Sequence, residues 1–228
     1  VIEGRDFSSI YEVPLTIYKQ NAGRLIKDRL KIKKIPQLGT LEKFIKNYKN
    51  PKSEVTIAMC GKYTELIDSY KSVMEAFVHA GVENNARVNI KWIQTEKIKN
   101  LKDVDKVFSN INGVLILPGF GSRGSEGKIK IVKYSRENKV PFLGICLGLQ
   151  CAVIEFARNV CKMQGANSTE FNSKTQYPVI DLMESQRAIK IKGGTMRLGA
   201  YECKIKVGTK AYSAYKEKKI SERHRHRY

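Results

Sequence analysis

Val140-Pro141-Phe142-Leu143-Gly144-Ile145-Cys146-Leu147-Gly148-Leu149-Gln150 decides how this chain folds. The first four residues are a short apolar run. From Leu147 onward apolar residues recur at 147, 151, 154, 157 and 160, the spacing of one helix face. The pattern predicts a buried strand that turns sharply through glycines into a helix, with Cys146 on the turn. A helix N-terminus favours thiolate over thiol, and thiolate is the reactive form. The Cys146 pKa is therefore expected below that of a free thiol. The competing reading is a buried cysteine that only packs, as free cysteines commonly do.

A second glycine cluster bears on that choice. Gly113-Val114-Leu115-Ile116-Leu117-Pro118 reads as another buried strand and runs into Gly119-Phe120-Gly121-Ser122-Arg123-Gly124. Glycines at a strand end let backbone N–H groups approach a ligand closely, although such clusters also occur in plain loops. Two such turns at the carboxyl edge of a parallel sheet would face each other where ligands bind in open α/β folds. The Cys146 turn then resembles the nucleophile elbow of hydrolases. An N–H from the first turn, with that of the residue after the cysteine, would form an oxyanion hole. Together the two turns favour acyl transfer on a thiol.

The 228 residues suffice for one domain with an extension, and 42% of them are hydrophobic, ordinary for a soluble protein. No run approaches the ~20 apolar residues that span a bilayer, and no secretory signal opens the chain. The five cysteines, at 60, 146, 151, 161 and 203, form no CxxC pair, and only three histidines accompany them. Neither a zinc site nor a disulfide framework is suggested, and reduced thiols fit the cytoplasm. The net charge of +20 raises the prospect of nucleic-acid binding. The lysines, however, are spread through Lys27 to Lys52, Lys91 to Lys106, Lys128 to Lys139 and Lys204 to Lys219. No nucleic-acid-binding motif appears, so solvated lysine-rich surface is the expected account.

Residues 1 to about 53 differ from the rest. Val13-Pro14, Ile35-Pro36 and Asn50-Pro51 punctuate short amphipathic pieces, which reads as a linker with one or two helices. From Val55 the text becomes βα. Strands are expected at Val55 to Cys60, Val88 to Ile93, Gly113 to Leu117 and Pro141 to Ile145, with a helix whose face runs through Leu66, Tyr70, Val73, Met74, Phe77 and Val78 and that Gly81 would cap. Short strands are expected at Pro178 to Leu182 and Glu202 to Val207. The alternation predicts an α/β, doubly wound, mostly parallel sheet over residues 54–228.

Pro118-Gly119-Phe120-Gly121-Ser122-Arg123-Gly124, followed by Gly144-Ile145-Cys146-Leu147-Gly148-Leu149-Gln150, resembles the class I glutamine amidotransferases. Val55 to Leu66, Asn167-Ser168-Thr169-Glu170-Phe171, Gly193 to Gly199 and Glu222 to Tyr228 narrow the resemblance to the CTP synthase family. It runs through nearly the whole chain, in order. It implies a class I amidotransferase fold at 54–228 and, at 1–53, the end of a synthetase domain with its linker. Thiol-based amide hydrolysis needs a nucleophile, an oxyanion hole, a base, and groups for the amino acid's charged end. The resemblance makes Cys146 the nucleophile and gives the oxyanion N–H groups to Gly119 and Leu147. Leu147, Gly148, Leu149, Gln150, Glu170 and Arg227 would contact L-glutamine. Charge agrees: Glu170 suits an α-ammonium and Arg227 an α-carboxylate.

Arg123, in a loop that acts as a lid in this family, is expected to meet GTP or close on the site; an ordinary solvated arginine is the alternative. The family completes its triad with a His-Pro-Glu motif that these 228 residues do not contain. His224 and His226 are expected to line the site rather than act as the base, and His79 to be structural. The chain, without an initial methionine, is expected to be a truncated piece that reacts with glutamine analogues better than it turns over. No cofactor or metal is expected on this domain. ATP, Mg2+ and the activator GTP belong to the whole enzyme, which aminates UTP, with a homotetramer as the implied assembly. A catalytically silent regulatory or assembly module, or another class I amidotransferase, are the alternatives.

Overall fold

The computed structural model describes residues 2–34, 36–62, 64–187, 189 and 194–228. Val1, Ile35, Tyr63 and Gly193, each part of a stretch quoted above, lie outside the described residues. Two compact units are formed. One comprises Val1–Ile57, Glu65–Lys91 and Asn110–Asn112, the other Ala58–Thr64, Trp92–Ser109 and Gly113–Tyr228.

The first unit carries α1 (Val13–Lys19), α2 (Ala22–Leu30) and α3 (Gly39–Lys49), three helices where the sequence predicts one or two. Two strands, β1 (Ser53–Gly61) and β2 (Ala86–Gln94), have their first residues in this unit, and α4 (Lys71–Glu83) lies between them in sequence. The Tyr11 ring sits 4.7 Å from Phe44 and 5.4 Å from His79, and its hydroxyl donates to Glu75 at 2.6 Å. This cluster gives His79 the structural role expected of it. Gly81 does not cap α4. The helix runs on to Glu83, and Gly81 is buried within it, where a Cβ would come 2.5 Å from the Ala86 carbonyl oxygen.

The second unit holds the carboxyl ends of β1 and β2 together with β3 (Gly113–Ile116) and β4 (Phe142–Gly144), in sheet order β2-β1-β3-β4. β3 and β4 run parallel, pairing Val114 with Phe142, Leu115 with Leu143 and Ile116 with Gly144. All four residues of β3 are buried, as expected of a central parallel strand read as a continuous apolar run. β4 departs from the expectation of a buried strand, for Leu143 is 61% exposed. It is apolar like β3 but occupies the end of the sheet.

Helices α5 (Leu101–Val107), α6 (Ser125–Glu137) and α7 (Leu147–Asn159) alternate with these strands. α7 buries Leu147, Cys151, Ile154 and Ala157 of the face read from the sequence and packs on α6, β3 and β4, whereas Val160, the last residue of that face, falls just past the helix and is 42% exposed. Glu155 on α7 is 1% exposed and receives Arg136 of α6 through Nε at 3.0 Å and Nη2 at 2.8 Å. Beyond α7 come the parallel pair β5 (Asn167–Ser168) and β6 (Pro178–Ile180), then the short α8 (Glu184–Arg187). The antiparallel ribbon β7 (Arg197–Lys204) and β8 (Lys219–Arg225) follows, with α9 (Lys210–Tyr215) between its strands.

The sheet is the mostly parallel α/β architecture expected. Among the described residues no helix is long and apolar enough to cross a membrane. One lysine contradicts the solvated-surface account: Lys128, on the core side of α6, is 0% exposed.

Candidate active site

The elbow at Cys146 is set by close backbone approach. A Cβ on Gly144 would come 2.5 Å from the carbonyl carbon of Gly148, and one on Gly148 would come 2.5 Å from the Ile116 carbonyl oxygen. Only glycine lets β4 turn back so tightly onto the start of α7 and lets α7 lie against β3. Cys146 itself takes φ 54° and ψ −108°, a region that a residue with a side chain seldom occupies and that costs of order 1–3 kcal/mol. The strain aims its sulfur off the end of the sheet, toward the loop that follows β3.

The backbone N–H groups of Leu147 and Gly119 both act on the Cys146 sulfur, favouring its thiolate. Both predicted oxyanion donors therefore converge on one atom. Gly148, Leu149 and Gln150 form the rest of the first turn of α7, with Gly148 buried and Leu149 60% exposed. Burial pushes the Cys146 thiol above its ordinary value. The two N–H groups and the Lys128 ammonium act against the rise, and the Glu170 carboxylate adds to it. The expectation of a lowered pKa is thus overturned. The half-buried sulfur loses more hydration than the helix terminus and its donors restore.

Glu170 and the glycine loop are joined directly. One Glu170 carboxylate oxygen accepts the Gly121 N–H at 2.7 Å, while its own N–H donates to the hydroxyl of the fully buried Ser168 at 3.1 Å. Arg227 donates from Nη2 to the Thr195 hydroxyl at 3.2 Å, and its carbonyl accepts the Met183 N–H at 2.9 Å. Next to it, the Tyr228 carbonyl accepts from Gln150 Nε2 at 3.2 Å, which ties the end of the Glu222 to Tyr228 motif to the first turn of α7. Arg123 lies farther along the loop and pairs with Glu96 at 3.1 Å, both side chains well exposed. His224 and His226 stand on and just beyond β8 with their rings 5.3 Å apart, and burial followed by His224 holds the His226 imidazole below its usual range.

Two lysines that the sequence did not single out for the site flank Gly119. Lys62 Nζ donates to the Phe120 carbonyl, and Lys128 Nζ donates to the Leu117 carbonyl at 2.9 Å. The sequence did hold a signal for Lys128. It shares the helix face of Ile131, Val132 and Ser135, all buried.

The family model described as glutamine amidotransferase class-I matches residues 65–228. CTP synthase of Methanocaldococcus jannaschii is 51% identical over 234 residues, covering 100% of this chain and 43% of its own length. That of Pelodictyon phaeoclathratiforme is 54% identical over 232 residues, covering 100% of this chain and 41% of its own. This chain thus spans about two fifths of the length of the curated relatives it matches. Among solved structures, the Trypanosoma brucei CTPS glutaminase domain with bound acivicin superposes with a TM-score of 0.69 at 35% identity, covering 76% of this chain and 67% of that one. With the elbow, the paired N–H groups and this similarity in hand, the chain belongs to the class I glutamine amidotransferase family and is homologous, within it, to the glutaminase domain of CTP synthase.

Proposed function

We propose that this chain hydrolyses L-glutamine at Cys146 and, in an intact protein of CTP synthase type, supplies the ammonia for ATP-driven amination of UTP to CTP. The observation that carries the reading is the Cys146 sulfur on a strained elbow, within reach of the Gly119 and Leu147 N–H groups. Such donors act best on charge that develops in the transition state.

In this reading the Cys146 sulfur adds to the side-chain carbonyl carbon of glutamine, and the carbonyl electron pair moves onto oxygen, where the two N–H groups hold it. The thiol proton passes to the amide nitrogen. Collapse breaks the C–N bond, releases ammonia and leaves a thioester on Cys146. Water then adds to the thioester, glutamate departs, and the thiol is restored. Glu170 takes the substrate's α-ammonium, Arg227 its α-carboxylate, and Leu147, Gly148, Leu149 and Gln150 line the bound side chain. His224 and His226 line the site. Because Glu170 also accepts the Gly121 N–H, substrate engaging this carboxylate acts on the glycine loop as well.

Arg123 is assigned to the GTP response. It borders a cavity of about 270 Å³ lined also by Lys99, Ser122 and Lys130, with Glu96 and Glu126 among the walls, and three cationic side chains suit a polyphosphate. ATP and Mg2+ are assigned to the synthetase part, and no step here passes through them. Residues 1–53 close that part and lead into the amidotransferase domain at 54–228. A cytoplasmic homotetramer is the proposed assembly.

The test is covalent labelling with an electrophilic glutamine analogue, beginning with acivicin, which the Trypanosoma brucei domain binds. Peptide mapping should place the label on Cys146 in preference to Cys60, Cys151, Cys161 and Cys203. Preferential labelling of the exposed Cys161 or Cys203 would sink the assignment.

A further inference from the structure

Lys128 is an unusual residue to find beneath a nucleophile. It is 0% exposed, and a buried ammonium is stable only where its hydrogens and its charge are met. Its Nζ donates to the Leu117 carbonyl at 2.9 Å, two residues before Gly119, whose N–H acts on the Cys146 sulfur. A Cβ built on Gly119 would lie only 3.7 Å from this nitrogen, so the ammonium sits against the oxyanion turn itself. The groups that act on it electrostatically are the thiols of Cys151, Cys60 and Cys146 and the ammonium of Lys62. Burial lowers its pKa, and the three thiols oppose that change. Around Cys146 the balance includes Lys128 on one side and Glu170 on the other. A charge in that position favours the thiolate and, once glutamine has reacted, the oxyanion beside it.

We propose that Lys128 is a positioning residue of this site, holding the Leu117 carbonyl so that the Gly119 N–H faces Cys146 and lending its charge to the thiolate and the oxyanion. The inference rests on Cys146 being the nucleophile. Its own test does not require glutamine. In Lys128→Met, a variant of similar length that fills the same space without charge, the rate of Cys146 alkylation by iodoacetamide is followed against pH by peptide mapping. The midpoint should move up by about one pH unit, making alkylation about tenfold slower below it. Cys161 and Cys203 should react at unchanged rates, and Lys133→Met, a charge lost from the same helix, should leave the Cys146 profile in place.

A purely structural lysine would alter the melting temperature and leave the midpoint where it was, and that result in folded Lys128→Met overturns the proposal. Should the variant not fold, the wild-type chain decides through reciprocal coupling. Blocking Cys146 with iodoacetamide must lower the titration midpoint of the Lys128 ammonium seen by nitrogen-15 NMR, and an unmoved midpoint is equally fatal. Failure of the glutamine analogue to label wild-type Cys146 would instead strike the proposed function, while the alkylation profiles still judge Lys128.

Discussion

Cys146 carries a backbone cost that a merely packing cysteine would not need. Its backbone is strained at φ 54°, and burial holds its thiol above the ordinary value. Glycine occupies that backbone region freely. Cys146→Gly should therefore unfold at higher urea than Cys146→Ala, by a difference of about 1 kcal/mol. Equal midpoints would mean that the elbow is not strained. The pH dependence follows from the raised pKa, because the reactive thiolate is the minor form at neutral pH. Labelling by a glutamine analogue should climb about tenfold per pH unit over roughly pH 6 to 8 and keep rising beyond the ordinary thiol midpoint. A plateau below that midpoint, read from the label on the Cys146 peptide, would show that the helix terminus wins after all.

At the scale of elements, the site depends on how α7 meets β3 and α6. Gly148→Ala drives a methyl into the Ile116 carbonyl oxygen at 2.5 Å, with backbone on both sides and nothing flexible to give way. The loss should be at least ~2 kcal/mol in urea unfolding. The Arg136–Glu155 pair fastens α6 to α7, with the carboxylate buried and the guanidinium about a third exposed. Arg136→Met leaves a buried charge unmet and should cost ~2–3 kcal/mol, a figure reduced for the exposed side of the pair. Adding Glu155→Leu should recover most of that loss. If the two substitutions are simply additive, the pair does not hold the helices. The elements themselves were legible because strand and helix periods are local properties. β4 was misjudged because an apolar run does not say whether it lies at the middle or the edge of a sheet. Gly81 was misjudged because a glycine demanded by the Ala86 carbonyl reads, in sequence, like a cap.

For the whole molecule, the proposed chemistry divides between glutamine hydrolysis and use of the ammonia. In the intact protein Cys146→Ala should abolish glutamine-dependent CTP formation and leave ammonia-dependent formation largely intact, since the nucleophile serves only the first reaction. Equal loss of both, in a coupled CTP assay with glutamine or ammonium as nitrogen source, would make Cys146 structural. The charge of +20 remains mostly a surface property, with Lys128 its clear exception.

The sequence by itself determined the four strands of the main sheet, helices α4 and α7, the elbow, the glycine loop and the family, because glycine spacing, apolar periodicity and a cysteine between two glycines are written in neighbouring residues. Tertiary structure alone decided what surrounds the sulfur. Glu170 meets Gly121 across 49 residues of chain, and Arg227 meets Thr195 across 32. Whether a lysine lies in solvent or under a thiol is settled by which helix face the core covers. Desolvation then follows from that packing, and it raised the Cys146 pKa where the helix terminus, read locally, pointed the other way.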